Sequence, residues 1–204
     1  LDDRHEEPGT VARIDLSARP SVPFAYVFMM RFTLKNHDFI IRDLLPEDVD
    51  EYLKFFNSLS EKSIRCRFGH LLAKLTQDAA VQRATTDADE RALAIFDGQQ
   101  SSIAAIGRCY FDPQAHTAEI AMVVAESHRR MGLGRFILDR LIRVASDKDS
   151  RSVHAFIATE NAPVKHLLRS AGFIAQSGTD SSDVEFVLHS IAKYKTEQCV
   201  AGRD

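Results

Sequence analysis

Residues 117–147 constrain the chain more than any other stretch. Thr117 to Ala125 reads as a strand, apolar after Glu119, and Leu133, Phe136, Ile137, Leu141 and Val144 then recur at 3.6-residue spacing. That spacing predicts an amphipathic helix of about four turns starting at Gly132. A short loop joins the two and ends in Gly132-Leu133-Gly134, with Arg129, Arg130 and Arg135 around it. A strand, a tight glycine turn and a helix start aim backbone N–H groups and the positive end of the helix dipole at one point. With three arginines beside it, that point suits a pyrophosphate. The same two glycines could equally make a plain turn flanked by solvated arginines. A third glycine, as in a dinucleotide fingerprint, and the Gly-Lys-Ser/Thr ending of a P-loop are both missing, so those nucleotide folds are poor competitors.

The rest of the chain fits an α+β layout. A short apolar run at Phe39-Ile40-Ile41 reads as a strand, and Pro46 opens a helix with Val49, Leu53 and Phe56 on one face. A second helix starts near Ser60, a third spans Thr76 to Thr85, and Leu93 to Phe96 begins a strand with an Asp97-Gly98 hairpin signal after it. Ser102 to Phe111 and Thr117 to Ala125 extend this into an antiparallel meander. Asp139 and Arg143 form an expected i,i+4 pair on the next helix. Val153 to Ala158 is a strand reached by a helical crossover, so it should run parallel to the one before it. A short helix from Asn161-Ala162-Pro163 ends before Gly172. Phe173 to Ala175 and Val184 to Leu188 close the sheet around a Gly178 to Ser182 turn.

The domain boundaries expected are an N-terminal extension at 1–35, one domain at 36–192 and a tail at 193–204. The extension carries Pro8, Gly9, Pro20 and Pro23 without sustained periodicity. Leu1 is not the usual initiator, and Met29 and Met30 stand just before the first regular strand. An overlong reading frame, with residues 1–28 foreign to the natural protein, fits that pattern.

With 204 residues, 45% of them apolar and 27% charged, the chain can bury one sizeable core. A net charge of −3 provides no global attraction to nucleic acid or anionic lipid. The longest apolar stretch, Phe24 to Met30, is far below the roughly 20 residues of a membrane span. Cys66, Cys109 and Cys199 match neither a disulfide framework nor zinc-ligand spacing, so they read as free thiols in a reducing cytoplasm, with no metal expected.

Arg129-x-x-Gly132-x-Gly134 after a valine-rich strand resembles the pyrophosphate motif of the GNAT acetyltransferases, Q/R-x-x-G-x-G/A. Asn161-x-x-Val164-x-x-Leu167 followed by Gly172-Phe173 is similar to that family's second coenzyme segment. The resemblance covers about residues 38 to 190. Within the superfamily, Leu59 to Ser63, Arg65 to Phe68 and Leu75-Thr76 look like the acetyltransferase domain of bacterial Pat-type protein lysine acetyltransferases.

The resemblance implies a mixed, mostly antiparallel sheet with helices on both faces and a splayed parallel strand pair at the coenzyme site. Acetyl-CoA would be the cosubstrate. Its pantetheine arm would pair with the backbone of Met122, Val123 and Val124, and its pyrophosphate would meet Arg129, Arg130, Met131, Gly132, Leu133, Gly134 and Arg135. Asn161 would bond the pantetheine amides, or cap its helix. Glu119 is the implied general base, with a solvated strand-end carboxylate as the plain alternative and Glu126 as fallback. Leu168 stands where the family often has a tyrosine acid, so the acid is unassigned; His166 and Lys165 on the same helix read as surface groups. Arg65 and Arg67 fall on the acceptor side, where they favour an acidic or phosphate-bearing acceptor or pair with Glu61 and Asp78. The expected acceptor is an amine, a protein lysine first and a small molecule second. A noncatalytic acyl-CoA sensor is the competing class.

Overall fold

The computed structural model describes residues 28–68, 75–98, 101–176 and 183–194. Most of the expected extension, the Gly178 to Ser182 turn, Cys199 and the tail from 195 onward lie outside those residues.

Eight strands form one sheet: β1 (Met29–Leu34), β2 (His37–Asp43), β3 (Glu90–Asp97), β4 (Ile103–Asp112), β5 (Thr117–Val124), β6 (Ser152–Ala158), β7 (Ile174–Ala175) and β8 (Asp183–His189). Their order is β1-β2-β3-β4-β5-β6-β8-β7. Every neighbouring pair is antiparallel except β5 and β6, which run parallel, as the helical crossover between them requires. Among the described residues five helices cover the sheet: α1 (Val49–Ser58), α2 (Glu61–Phe68), α3 (Gln77–Ala84), α4 (Leu133–Asp147) and α5 (Ala162–Ser170).

The sheet starts earlier than the sequence reading placed it. Met29–Leu34 falls inside the segment taken as an extension, yet it pairs residue for residue with β2. Lys35 and Asn36 join the two strands with φ of 49° and 61°, the left-handed pair that a primed hairpin turn needs. Phe32 anchors the strand by stacking on Phe136, with ring centroids 3.8 Å apart.

Helices on opposite faces bury separate cores. On one face, α4 buries Ile137, Leu138, Leu141, Ile142 and Ala145 completely, each large side chain contributing about 1.5–3 kcal/mol. Gly107 in β4 permits this approach: a Cβ there would stand 2.8 Å from Leu141 Cδ1. On the other face, Tyr52, Phe55 and Phe56 of α1 pack with Ile64 of α2, Ala80 of α3 and Ile106 of β4.

The expected helix starts hold where the cap is a hydroxyl. Ser60 Oγ accepts from Ser63 N at 3.2 Å, and Thr76 Oγ1 accepts from Ala79 N at 3.4 Å. The surface pair on α4 differs: Asp139 bonds Arg135 one turn earlier, at 3.1 Å, rather than Arg143. No helix among the described residues is long and apolar enough to cross a membrane.

Candidate active site

β5 and β6 stay together for only three rungs, Thr117↔Ser152, Ala118↔Val153 and Glu119↔His154. Beyond Glu119 they part, while β5 remains paired with β4 up to Val124. The edge of Ile120 to Val124 that faces β6 therefore has no strand to bond, an unusual state for interior backbone. The cleft so formed is lined by Ile120 to Met122, Ala155 to Ile157, Asn161, Leu168 and, from α2, Cys66 and Arg67. An amide-bearing arm can pair with that edge as a strand would. The pantetheine arm of an acyl-coenzyme fits this description.

Asn161 occupies the cap position of α5 but makes no side-chain cap bond, so its amide is left to the cleft. The helix-cap reading is thereby set aside.

At the wide end of the cleft the chain makes a 3-10 turn over Glu126–His128, becomes extended at Arg129 and then alternates handedness. Arg130 has φ of 61° and Gly132 has φ of 96° before α4 begins at Leu133. Residues that alternate between right- and left-handed conformations turn neighbouring N–H groups toward one side, the geometry of an anion-binding nest. Lys35 Nζ holds the loop from below by donating to the Arg130 carbonyl at 2.8 Å. Gly134 sits between strand and helix, where a Cβ would lie 3.4 Å from Leu167 Cδ2 and 4.0 Å from Val124 Cγ2.

The three arginines are not equivalent. Arg129 is folded against the protein: Nε donates to the Val124 carbonyl at 3.3 Å, and Nη2 donates to Ser63 Oγ at 2.6 Å and Glu126 Oε1 at 3.1 Å. Arg135 is held by Asp139 and by the Ser170 carbonyl. Arg130 is exposed, and no hydrogen bond or ion pair holds its guanidinium among the described residues. Arg129 thus braces the loop, while Arg130 stays exposed beside Met131 to Gly134.

Glu126 receives hydrogen bonds from Ser60 N, Ser60 Oγ and Ser63 Oγ besides Arg129. Partial burial opposes its ionisation, but the Ser63 and Ser60 hydroxyls outweigh it and bring the carboxyl down to about 2. So tightly held an anion is a brace between α2 and the glycine loop.

Glu119 is different. It is exposed, it sits on the last paired rung beside the opening of the cleft, and no bond engages its carboxylate among the described residues. Tyr110 lies directly across from it on β4 and His154 on β6, so the three share one face of the sheet. His154 is committed elsewhere, through Nδ1 to Glu185 at 2.8 Å and Nε2 to Ser152 Oγ at 2.9 Å. Leu168 lines the floor of the cleft, 1% exposed, with no proton to give. His166 is exposed, and Lys165 Nζ donates to the Thr159 carbonyl, so neither lines the cleft.

On the acceptor side Arg65 is exposed, whereas Arg67 lines the cleft. Burial pulls the Arg67 guanidinium below its usual range, and the neighbouring Tyr110 works against that.

Two groups of residues escaped sequence reasoning. Cys66, expected only as a free thiol, lines the cleft. His37, Asp97 and His128 converge from β2, β3 and the loop, with both imidazole Nε2 atoms 3.0–3.1 Å from Asp97 Oδ2. Their ligand atoms lie within 4.8 Å of one another, close enough for a cation, although no spacing in the sequence announces it. As hydrogen bonds they tie β2, β3 and the loop after β5 together.

A family model described as Acetyltransferase (GNAT) family matches residues 55–173. The L-amino acid N-acyltransferase MnaT of Escherichia coli is 39% identical over 64 residues, 31% of this chain and 37% of that protein. The match thus takes in little more than a third of that relative's length. Among solved structures, the GNAT domain of S. lividans PAT superposes with a TM-score of 0.72 at 20% identity, covering 79% of this chain and 96% of that one. A spermidine N-acetyltransferase from Vibrio cholerae, in complex with CoA and spermine, gives 0.63 at 17% identity, covering 76% and 97%. At those identities the likeness is one of fold.

Proposed function

The chain belongs to the GNAT acetyltransferase family, and we propose that it transfers an acetyl group from acetyl-CoA to a primary amine, with Glu119 as general base. One observation carries the proposal: a sheet that opens beyond the Glu119 rung and ends at a left-handed glycine loop. The free edge of Met122, Val123 and Val124 and the Asn161 amide hold the pantetheine arm. Arg130, Met131, Gly132, Leu133 and Gly134 receive the pyrophosphate, with Arg129 and Arg135 shaping that cradle from the sides.

The acetyl thioester supplies an electrophilic carbonyl. At neutral pH roughly one lysine-type amine in a thousand is unprotonated, so proton removal is the protein's main task. Glu119 takes that proton, through a water where the amine does not reach it, and the freed lone pair forms the N–C bond as the C–S bond breaks. The sulfur leaves with its electron pair. Leu168 offers it no proton, so water supplies one.

Two acceptor classes compete. A small-molecule amine is the first reading, because α1 and α2 roof the acceptor side with Tyr52, Phe55 and Arg67 turned inward. MnaT, by its name an amino-acid acyltransferase, points the same way. A protein lysine, expected first from the sequence, is the second, on the likeness of residues 59–68 to Pat-type domains.

The test is Glu119→Gln, with thiol release measured against pooled amines and acetyl-CoA affinity measured by calorimetry. Turnover should fall about 100-fold or more at unchanged affinity. Near wild-type turnover across pH would remove Glu119 as base. Wild-type protein that binds acetyl-CoA but releases no thiol would be a sensor, and no binding at all would end both readings.

A further inference from the structure

Three side chains outside the cleft converge on a single oxygen. His37 opens β2, Asp97 ends β3, and His128 closes the 3-10 turn after β5. His37 Nε2 lies 3.1 Å and His128 Nε2 3.0 Å from Asp97 Oδ2. The carboxylate is 1% exposed, the His128 ring 12% and the His37 ring 26%, so the acid is enclosed and solvent reaches the group past His37.

The surroundings hold two of the three in place. Asp97 is fixed through its backbone: its N–H donates to the Ser102 carbonyl at 2.8 Å, its carbonyl accepts from Ser101 at 2.9 Å, and Gly98 next to it donates to the Asp38 carbonyl at 2.9 Å. Glycine is needed for that approach, since a Cβ at residue 98 would stand 2.8 Å from the same Asp38 oxygen. His128 is oriented by Ser127, whose Oγ lies 2.9 Å from Nδ1 and leaves Nε2 aimed at the carboxylate. Metal-ligating histidines are held in this way, by a partner on the ring nitrogen that does not bind the ion. His37 rests against Phe39 with ring centroids 4.8 Å apart, and it is the arm with most room to turn.

Two imidazole nitrogens and a carboxylate oxygen suit a borderline ion such as zinc, whereas magnesium and calcium prefer oxygen donors throughout. A tetrahedral zinc with ligands at about 2.0–2.2 Å sets neighbouring donor atoms about 3.3 Å apart. The two nitrogen–oxygen separations, 3.1 and 3.0 Å, are close to that. All three donor atoms lie within 4.8 Å of one another, and a turn of the His37 ring would bring the two nitrogens nearer.

We propose that His37 Nε2, His128 Nε2 and Asp97 Oδ2 bind one zinc ion, with water as the fourth ligand. Each ring is then neutral with its proton on Nδ1, and that of His128 donates to Ser127 Oγ. The ion replaces two hydrogen bonds to one oxygen and clamps the start of β2 and the end of β3 to the residue before Arg129. Lys35, in the turn before β2, already holds the Arg130 carbonyl at 2.8 Å, so the loop is fixed from the same hairpin twice. The site uses none of the cysteines, and it stands whether or not the acetyl-transfer reading does.

The test is calorimetry of zinc and visible absorption of cobalt on the full chain, without a histidine tag and stripped with a chelator. One equivalent of zinc should bind with a Kd of about 10 µM or tighter, and cobalt should give the bands of a tetrahedral ion without thiolate charge transfer. His37→Ala and His128→Ala should each weaken binding about 100-fold, because loss of even an outer-shell partner costs about 10–100-fold. Replacing the exposed His166 of α5 by alanine should leave binding unchanged. Weaker binding by the wild type, a thiolate band, or a loss under about tenfold in either His37→Ala or His128→Ala overturns the proposal and leaves a hydrogen-bonded latch. Should those variants not fold, 1H–15N spectra of the wild-type imidazoles decide: zinc should move Nε2 in two of the eight histidines. Any other number, or coordination through Nδ1, overturns the site.

Discussion

Replacing Glu126 with glutamine should destabilise the protein at neutral pH and progressively less in acid. The side chain gathers donors from Ser60, Ser63 and Arg129, and its carboxyl lies near 2 in place of 4.5. Because the folded value is depressed, the ionised carboxylate stabilises the fold fully above the unfolded value of 4.5, and that contribution is lost as pH falls toward 2. Taken whole, the shift corresponds to about 3 kcal/mol. The side chain is 37% exposed, however, and solvent screening reduces this to about 1 kcal/mol. Urea unfolding of wild type and Glu126→Gln at pH 7, 5, 4 and 3 checks it. The gap should be about 1 kcal/mol at pH 7 and 5, narrow at pH 4 and fall below half its neutral value by pH 3. A gap that is constant from pH 7 to 3, or absent at pH 7, would refute the argument that the charge itself is what the serines hold.

Gly132→Ala places a Cβ on a residue with φ of 96°, and since that Cβ would meet nothing nearer than Leu34 Cδ1 at 3.6 Å, the penalty is conformational. About 1–2 kcal/mol of stability and a weaker coenzyme affinity should be lost together, read by calorimetry; an unchanged Tm would contradict the backbone assignment. Burial pushes the Cys109 thiol up to about 12 against a smaller opposing effect from Arg91. In a Cys199→Ser background, a thiol reagent at pH 8 should therefore label Cys66 and spare Cys109, and acetyl-CoA should slow the labelling; modification of Cys109 in the native protein would show the core to be open.

The glycine loop and helix of the candidate site were legible because their residues lie together in sequence. Gly132, Gly134 and the helical face of Leu133, Ile137 and Leu141 announce themselves by local spacing. What α2 brings was not legible. Ser60 and Ser63 reach Glu126 across more than 60 positions, and Arg67 comes near Tyr110 across more than 40. No local period encodes such pairs. Strand β1 is a different kind of miss: Met30, Phe32 and Leu34 do alternate inward, but only Phe32 is fully buried, and the prolines before it made the whole segment look irregular. Asn36, tolerant of the left-handed conformation, was the turn signal that could have recovered it.

The opening between β5 and β6 also bears on how the protein behaves among its own copies. A row of unbonded N–H and C=O groups is the surface on which chains stack into aggregates, and sheets usually present it only at their outer borders. This chain carries such a row in the middle of its sheet, with β6 standing across from it and α2 and α5 on its flanks. A second polypeptide cannot lie down there, but a slender thread with two amides can. The molecule thus keeps a reactive border in reserve without exposing it to its neighbours.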